Sequence, residues 1–234
     1  MKGLPLVLLP GMLCDEFCWR DQVRALSDIA DCTVADFGER DSFDDMADDV
    51  LRAAPPRFAL ASHSMGGRVA FEIVRRAPDR VALLGLFGTA YTANGPQEAA
   101  YRHVMLDTAK QHGMRGLGEE WVKRMVHPDR LSDKSLVNSI VDMVDRRTFK
   151  LLQSQVHASM MRRDQTDLLP LIACPTLVLC GRQDAARPLP AHEEMAAAIP
   201  DSTLVVIENC GHMCMLERPD EVSRAMRRWL GRQQ

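Results

Sequence analysis

The sequence predicts an α/β protein: a mostly parallel sheet of about six strands flanked by helices, with a helical insertion between two late strands. Three observations carry that prediction. Apolar runs of strand length alternate with segments whose apolar residues recur every three or four positions, the pattern of strands joined by helical crossovers. The alternation stops between about residues 90 and 168, where only helical spacing is found. The third apolar run ends in Ser62-His63-Ser64-Met65-Gly66-Gly67, whose small residues allow a sharp turn from strand into helix with Ser64 at its apex.

The first strand is 4–9. Residues 1–10 hold one lysine and then an apolar run, as a secretory leader does, but the run is too short and no small-residue cleavage site follows, so it is read as strand. Trp19, Val23, Leu26 and Ala30 form one helical face ahead of the strand at 32–37. Met46, Val50 and Leu51 form another ahead of the strand at 57–62. After the turn, Met65, Val69, Ile73 and Ala77 share a face in a helix that Pro78 ends, and 81–87 is the next strand. Within the insertion, Tyr101/Met105, Trp121/Met125 and Ile140/Val144 are helically spaced pairs, in helices beginning near Pro96, Gly118, Ser132 and Arg147. Strands at 175–181 and 203–208 close the sheet. A last helix starts near Pro219 with Val222, Met226 and Trp229 on one face. The core is therefore 1–89 and 169–234, and the insertion 90–168. With the sheet beginning at 4–9, the 32–37 strand is an edge, and an uncovered edge makes a homodimer one expected state.

Composition narrows the function classes. The 234 residues carry a net charge of −3, with 46% hydrophobic and 26% charged residues, which suits one globular core and lacks the basic stripe of a nucleic-acid binder. No window reaches the roughly 20 apolar residues of a membrane span. The 7 cysteines lie mostly in or beside apolar runs and read as buried thiols of a cytoplasmic protein. Cys14/Cys18 and Cys210/Cys214 lack histidine partners at zinc-binding spacing, so no metal is expected.

A serine hydroxyl is a weak nucleophile and needs a base, most often a histidine oriented by a carboxylate. Asp184 follows the strand at 175–181, and His212 follows the strand at 203–208. Both therefore fall at the C-terminal edge of the sheet, where open α/β sheets place their ligands. Asp201 reads as a turn residue, and Asp36 precedes the serine in the chain. His63 is read as packing beneath the turn, and His103 and His157 as surface or packing residues. Arg162-Arg163-Asp164 is read as a solvated charge run in preference to a clamp for a substrate carboxylate.

Leu8-Leu9-Pro10-Gly11-Met12, Ser62-His63-Ser64-Met65-Gly66-Gly67, Gly181-Arg182-Gln183-Asp184 and Gly211-His212 with Glu217-Arg218-Pro219 occur in this order over almost the whole chain. Together they resemble the α/β-hydrolase family, in its small esterase and enol-lactonase type. The resemblance implies the α/β-hydrolase fold, with the insertion as a cap or lid. It implies Ser64 as nucleophile, Asp184 as orienting acid, His212 as general base, and the backbone N–H groups of Met12 and Met65 as oxyanion hole. Glu217 is expected to shape its loop. Pro10 stands where similar proteins usually have histidine, and Ser62 where they usually have glycine. No cofactor is implied. The expected activity is cleavage of a carboxylic ester, thioester or lactone of a small-molecule acyl substrate through an acyl-enzyme. The alternatives are a carbon–carbon bond hydrolase or lyase using the same triad, and a non-catalytic small-molecule-binding protein. Leu13, Met160 and Met213 are expected to line a methionine-rich apolar pocket.

Overall fold

A computed structural model of the protein describes residues 3–233; Met1, Lys2 and Gln234, which the expected core boundaries include, lie outside the described residues. Six strands form one parallel sheet: β1 (Leu6–Leu9), β2 (Cys32–Val34), β3 (Phe58–His63), β4 (Val81–Phe87), β5 (Thr176–Gly181) and β6 (Ser202–Ile207). Their order across the sheet is β2-β1-β3-β4-β5-β6. Every residue of β1, β3 and β5 is buried, because helices cover both faces, and this is why these strands read as unbroken apolar runs. The chain steps from β1 outward to β2 and then back past β1 to β3, so the winding reverses between β1 and β3. That reversal opens a crevice at the carboxyl ends of these strands.

All six expected strands are present, and 32–37 is at an edge as expected, but it is shorter. The ladder of β2 ends where Val34 meets Leu8. Beyond it, Asp36 Oδ1 accepts the Gly38 N–H at 3.1 Å and bends the chain away from the sheet. A three-residue edge offers little ladder to a second copy.

The core helices follow their sequence signals. α1 (Arg20–Ala25) is short. In α2 (Phe43–Ala53), Ser42 caps the start by accepting the Asp45 N–H at 3.1 Å. α3 (Met65–Arg76) leaves the serine turn and stops just before Pro78. A Cβ on Gly66 would lie 2.6 Å from the Leu9 carbonyl oxygen, so α3 reaches β1 only because that residue has no side chain. Trp19, Phe58, Phe71 and Phe87 are the largest fully buried side chains, with the Trp19 and Phe87 rings 5.7 Å apart.

Between β4 and β5 lie α4 (Pro96–Met125), α5 (Lys134–Asp145) and α6 (Phe149–Met160), and no strand. α4 is two helices joined at Gly113, whose φ of 70° and ψ of 179° break the ladder. The break therefore falls at Gly113 and not near Gly118. Gly118 is helical, and its bare Cα lets α4 lie against Val141 and Val144 of α5. α5 and α6 start on capping side chains, Asp133 and Thr148, which each accept a first-turn N–H at 3.1 Å. The chain then returns through Arg162-Arg163-Asp164, where Arg163 and Asp164 are exposed as a solvated run would be but Arg162 is not. Arg162 is buried and holds Glu98 with both arms, and Arg163 reaches Asp44 and the buried Glu72. α7 (Leu189–Ala198), α8 (Cys214–Glu217) and α9 (Pro219–Leu230) complete the fold, α9 burying Val222, Met226 and Trp229. Among the described residues no cysteine is in a disulfide, and five of the seven are buried. Among the described residues no helix is long and apolar enough to cross a membrane.

Candidate active site

β3 delivers Ser64 in a strained conformation, with φ 53° and ψ −112°. The turn is clamped on both sides. Ser64 N–H donates to the Phe87 carbonyl at 2.9 Å, and the Thr89 hydroxyl donates to the Ser64 carbonyl at 2.8 Å. The hydroxyl thus stands at the N-terminus of α3, where the helix dipole favours negative charge.

Asp184 lies three residues beyond the end of β5, and His212 five beyond the end of β6. The structure brings both to Ser64. His212 Nε2 is 2.9 Å from Ser64 Oγ, and His212 Nδ1 is 2.7 Å from Asp184 Oδ2. The other carboxylate oxygen of Asp184 accepts the N–H groups of Ala186 at 2.8 Å and Arg187 at 2.7 Å, which fixes its orientation. Burial alone would raise the Asp184 carboxyl. The charge and hydrogen bond of His212 and the Arg187 N–H outweigh burial and hold it below its usual range. An ionised Asp184 keeps the proton on His212 Nδ1, so that Nε2 is free to accept from the Ser64 hydroxyl.

The backbone of His212 is tied down independently. Met125 carbonyl, at the end of α4, accepts the N–H groups of His212 at 2.8 Å and Met213 at 3.0 Å. His63 Nε2 donates to the His212 carbonyl at 3.0 Å from beneath the turn. Glu217 accepts the Gly211 N–H at 3.0 Å and the His127 N–H at 2.7 Å, bracing the loop that carries His212 against the helical insertion.

After β1, the Gly11-Met12-Leu13 loop is held by Leu13, whose φ is 62° and whose N–H donates to Gln155 Oε1 at 2.8 Å. Gln155 is buried on α6. Met12 borders the same cavity as Ser64, and Met65 opens α3 beside it. Among the described residues no protein acceptor meets the N–H of either Met12 or Met65.

A cavity of about 340 Å³ opens over Ser64 and His212. Tyr101, Trp121 and Met125 of α4 form its apolar side, and Arg102, Arg124 and Arg187 supply guanidinium groups. Leu13, Met160 and Met213 do not line it, contrary to expectation. Leu13 and Met213 are fully buried in the core, and the Met160 sulfur is turned to the Asn94 amide at 3.1 Å. Nearness in sequence to a site residue does not set the direction of a side chain.

Gln155, Thr89 and the three arginines escaped the reading of the sequence. Gln155 carried a signal, being a long polar side chain among the buried Leu151, Leu152, Val156, Ala158 and Ser159 of its helix. Among the described residues, no group of three or more His, Cys, Asp or Glu side chains could hold a metal ion.

Over residues 6–225 the chain matches the alpha/beta hydrolase family. It is 24% identical over 242 residues to a pimeloyl-acyl-carrier-protein methyl ester esterase of Nitrosomonas europaea, an alignment spanning 94% of this chain and 93% of that one. A malate-bound thermophilic esterase from Thermogutta terrifontis superposes with a TM-score of 0.92 at 30% identity, over 99% of this chain and 91% of that chain. The enol-lactonase from Burkholderia xenovorans LB400 shares the fold, with a TM-score of 0.87 at 22% identity over 98% of this chain and 94% of that chain.

Proposed function

Because the chain belongs to the alpha/beta hydrolase family and is an enzyme with hydrolase activity, we propose that it cleaves a carboxylic ester, thioester or lactone of a small molecule through an acyl-enzyme on Ser64. The observation that carries this reading is the unbroken relay from Ser64 Oγ through His212 to Asp184, at 2.9 and 2.7 Å. Ser64 Oγ attacks the carbonyl while His212 Nε2 takes its proton. Asp184 holds the imidazole in the productive tautomer and stabilises the imidazolium that forms. The N–H groups of Met12 and Met65 receive the oxyanion. His212 then protonates the leaving group and afterwards activates the water that releases the acid. Pro10 in place of histidine removes neither donor, since both are backbone groups. The helical insertion acts as the cap, its Tyr101, Trp121 and Met125 lining the cavity over Ser64. Relatives named as esterases support carbon–oxygen bond cleavage, while the 2-hydroxy-6-oxononadienedioate hydrolases also similar to this chain keep carbon–carbon cleavage as the alternative.

The test is covalent labelling with a fluorophosphonate, read by intact mass, on the wild type, Ser64→Ala and His212→Ala. One adduct on the wild type and none on either variant is expected. A folded wild-type protein that takes no label and turns over no ester overturns the reading in favour of a binding protein.

A further inference from the structure

The cavity over Ser64 holds more positive charge than its own carboxylates can balance. Arg102, Arg124 and Arg187 line it, and Arg162 and Arg68 are buried behind them. Outside the catalytic relay, the carboxylates facing this cluster are Glu98 and Asp164. Glu98 is heavily shared. Its Oε1 accepts from Arg162 at 2.7 Å, Arg187 at 2.6 Å and Arg102 at 3.1 Å, and its Oε2 from Arg162 at 2.6 Å. Backbone carbonyls take up other donors, Thr92 from both Arg68 and Arg162, and Ala93 from Arg162. Donors still remain, for Arg102 Nε and Arg68 Nη2 are buried without an acceptor. Burial first, and after it the charges of Arg162 and Arg187, push the Arg68 guanidinium well below its ordinary range.

Arg124 is the informative member. It borders the cavity, its guanidinium lies 4.2 Å over the Tyr101 ring, and among the described residues it pairs with no carboxylate. A purely structural reading, in which Glu98 ties the insertion to the core, accounts for Arg162 and Arg187. It gives Arg124 only the face of the Tyr101 ring, and it leaves the surplus donors in place. Arg124 is itself exposed, and a guanidinium fork stacked on an aromatic ring at the border of the cavity suits a carboxylate.

We propose that this cavity is a subsite for a carboxylate carried by the substrate, so that the enzyme selects small esters or lactones that are themselves anions, with Arg124 pairing to that carboxylate and Arg102 and Arg187 supplying the field. The proposal rests on the serine-hydrolase reading of the site. The free carboxylate sits on either the acyl or the alcohol side of the scissile bond, and two matched pairs of probes separate these. Monomethyl adipate against methyl hexanoate tests the acyl side, and 3-acetoxybenzoate against phenyl acetate tests the alcohol side.

In the wild type, kcat/KM for the acid is expected to exceed that for its neutral partner by about tenfold or more in one of the pairs, the value of one charge-assisted hydrogen bond. Arg124→Ala is expected to bring that ratio close to one, and Arg124→Lys to keep part of it. A wild type that labels with fluorophosphonate yet prefers neither acid overturns the proposal. So does an Arg124→Ala variant that lowers both members of a pair alike, which is what a structural role produces. If the wild type takes no label and hydrolyses nothing, the hydrolase reading has failed, and calorimetric binding of adipate decides the subsite separately. Binding weakened about tenfold by Arg124→Ala upholds it; no binding to the wild type overturns it.

Discussion

Ser64, Asp184 and His212 are each fixed by backbone contacts as well as by one another. Asp184 spends one oxygen on the N–H groups of Ala186 and Arg187 and the other on His212, so its replacement by asparagine tests orientation more than charge alone. The amide of an asparagine at this position can keep the loop contacts with its carbonyl oxygen and present N–H to His212 Nδ1. That reverses the tautomer and puts the proton on Nε2, where it blocks acceptance from Ser64. Asp184→Asn should therefore lower kcat/KM by about 10⁴-fold with the fold intact; a variant keeping a tenth of the activity would show that another group orients His212. These three residues were legible in the sequence because their order and their places just beyond strand ends are one-dimensional facts. The cavity lining was not legible. Arg102 and Arg124 reach the cavity through the rotation of α4, and Leu13, Met160 and Met213 turn away from it, and neither is written in spacing along the chain.

At the scale of elements, strands buried on both faces announced themselves as apolar runs, whereas the ends set by single side chains did not. The turn made by Asp36 cuts β2 to three residues, and two glycines five positions apart in α4 do opposite work: Gly113 breaks the helix and Gly118 packs it. The link between elements that matters for chemistry is Gln155 of α6, which accepts the buried Leu13 N–H beside Met12. Removing that acceptor leaves a buried donor unpaired, at a cost of about 1–3 kcal/mol, and loosens the loop that presents the Met12 N–H. Gln155→Ala should lower kcat on the order of tenfold, less than the 10²–10³-fold of losing an oxyanion donor outright, with KM little changed. A lower melting temperature with unaltered kcat would make the contact structural only.

For the molecule as a whole, net charge is a poor guide to the site, since a chain of net charge −3 collects guanidinium groups around the cavity over Ser64. Glu98 is the counter-ion that makes this arrangement tolerable, and it joins α4 to the segment after α6 and to the loop after β5. Burial alone would raise its carboxyl, but the hydrogen bond from Arg162 and the charges of Arg187, Arg162 and Arg102 prevail and hold it well below the usual carboxylate range. Glu98→Gln removes that charge while keeping the shape. Because Glu98 retains a solvent face, the loss should be about 2 kcal/mol, below that of a fully buried pair, or roughly 4–8 °C in melting temperature near neutrality. The sign with pH follows from linkage. A depressed folded value means the contribution is complete above the unfolded value of about 4.3 and declines as pH falls below it toward the folded value, because the unfolded chain takes up the proton first. The gap between wild type and Glu98→Gln in denaturant unfolding should thus be constant from about pH 7 to pH 5 and narrower at about pH 3.5. A gap that is flat or widens in acid would mean that Glu98 acts through its shape, and that the arginines around Ser64 are balanced by something other than its charge.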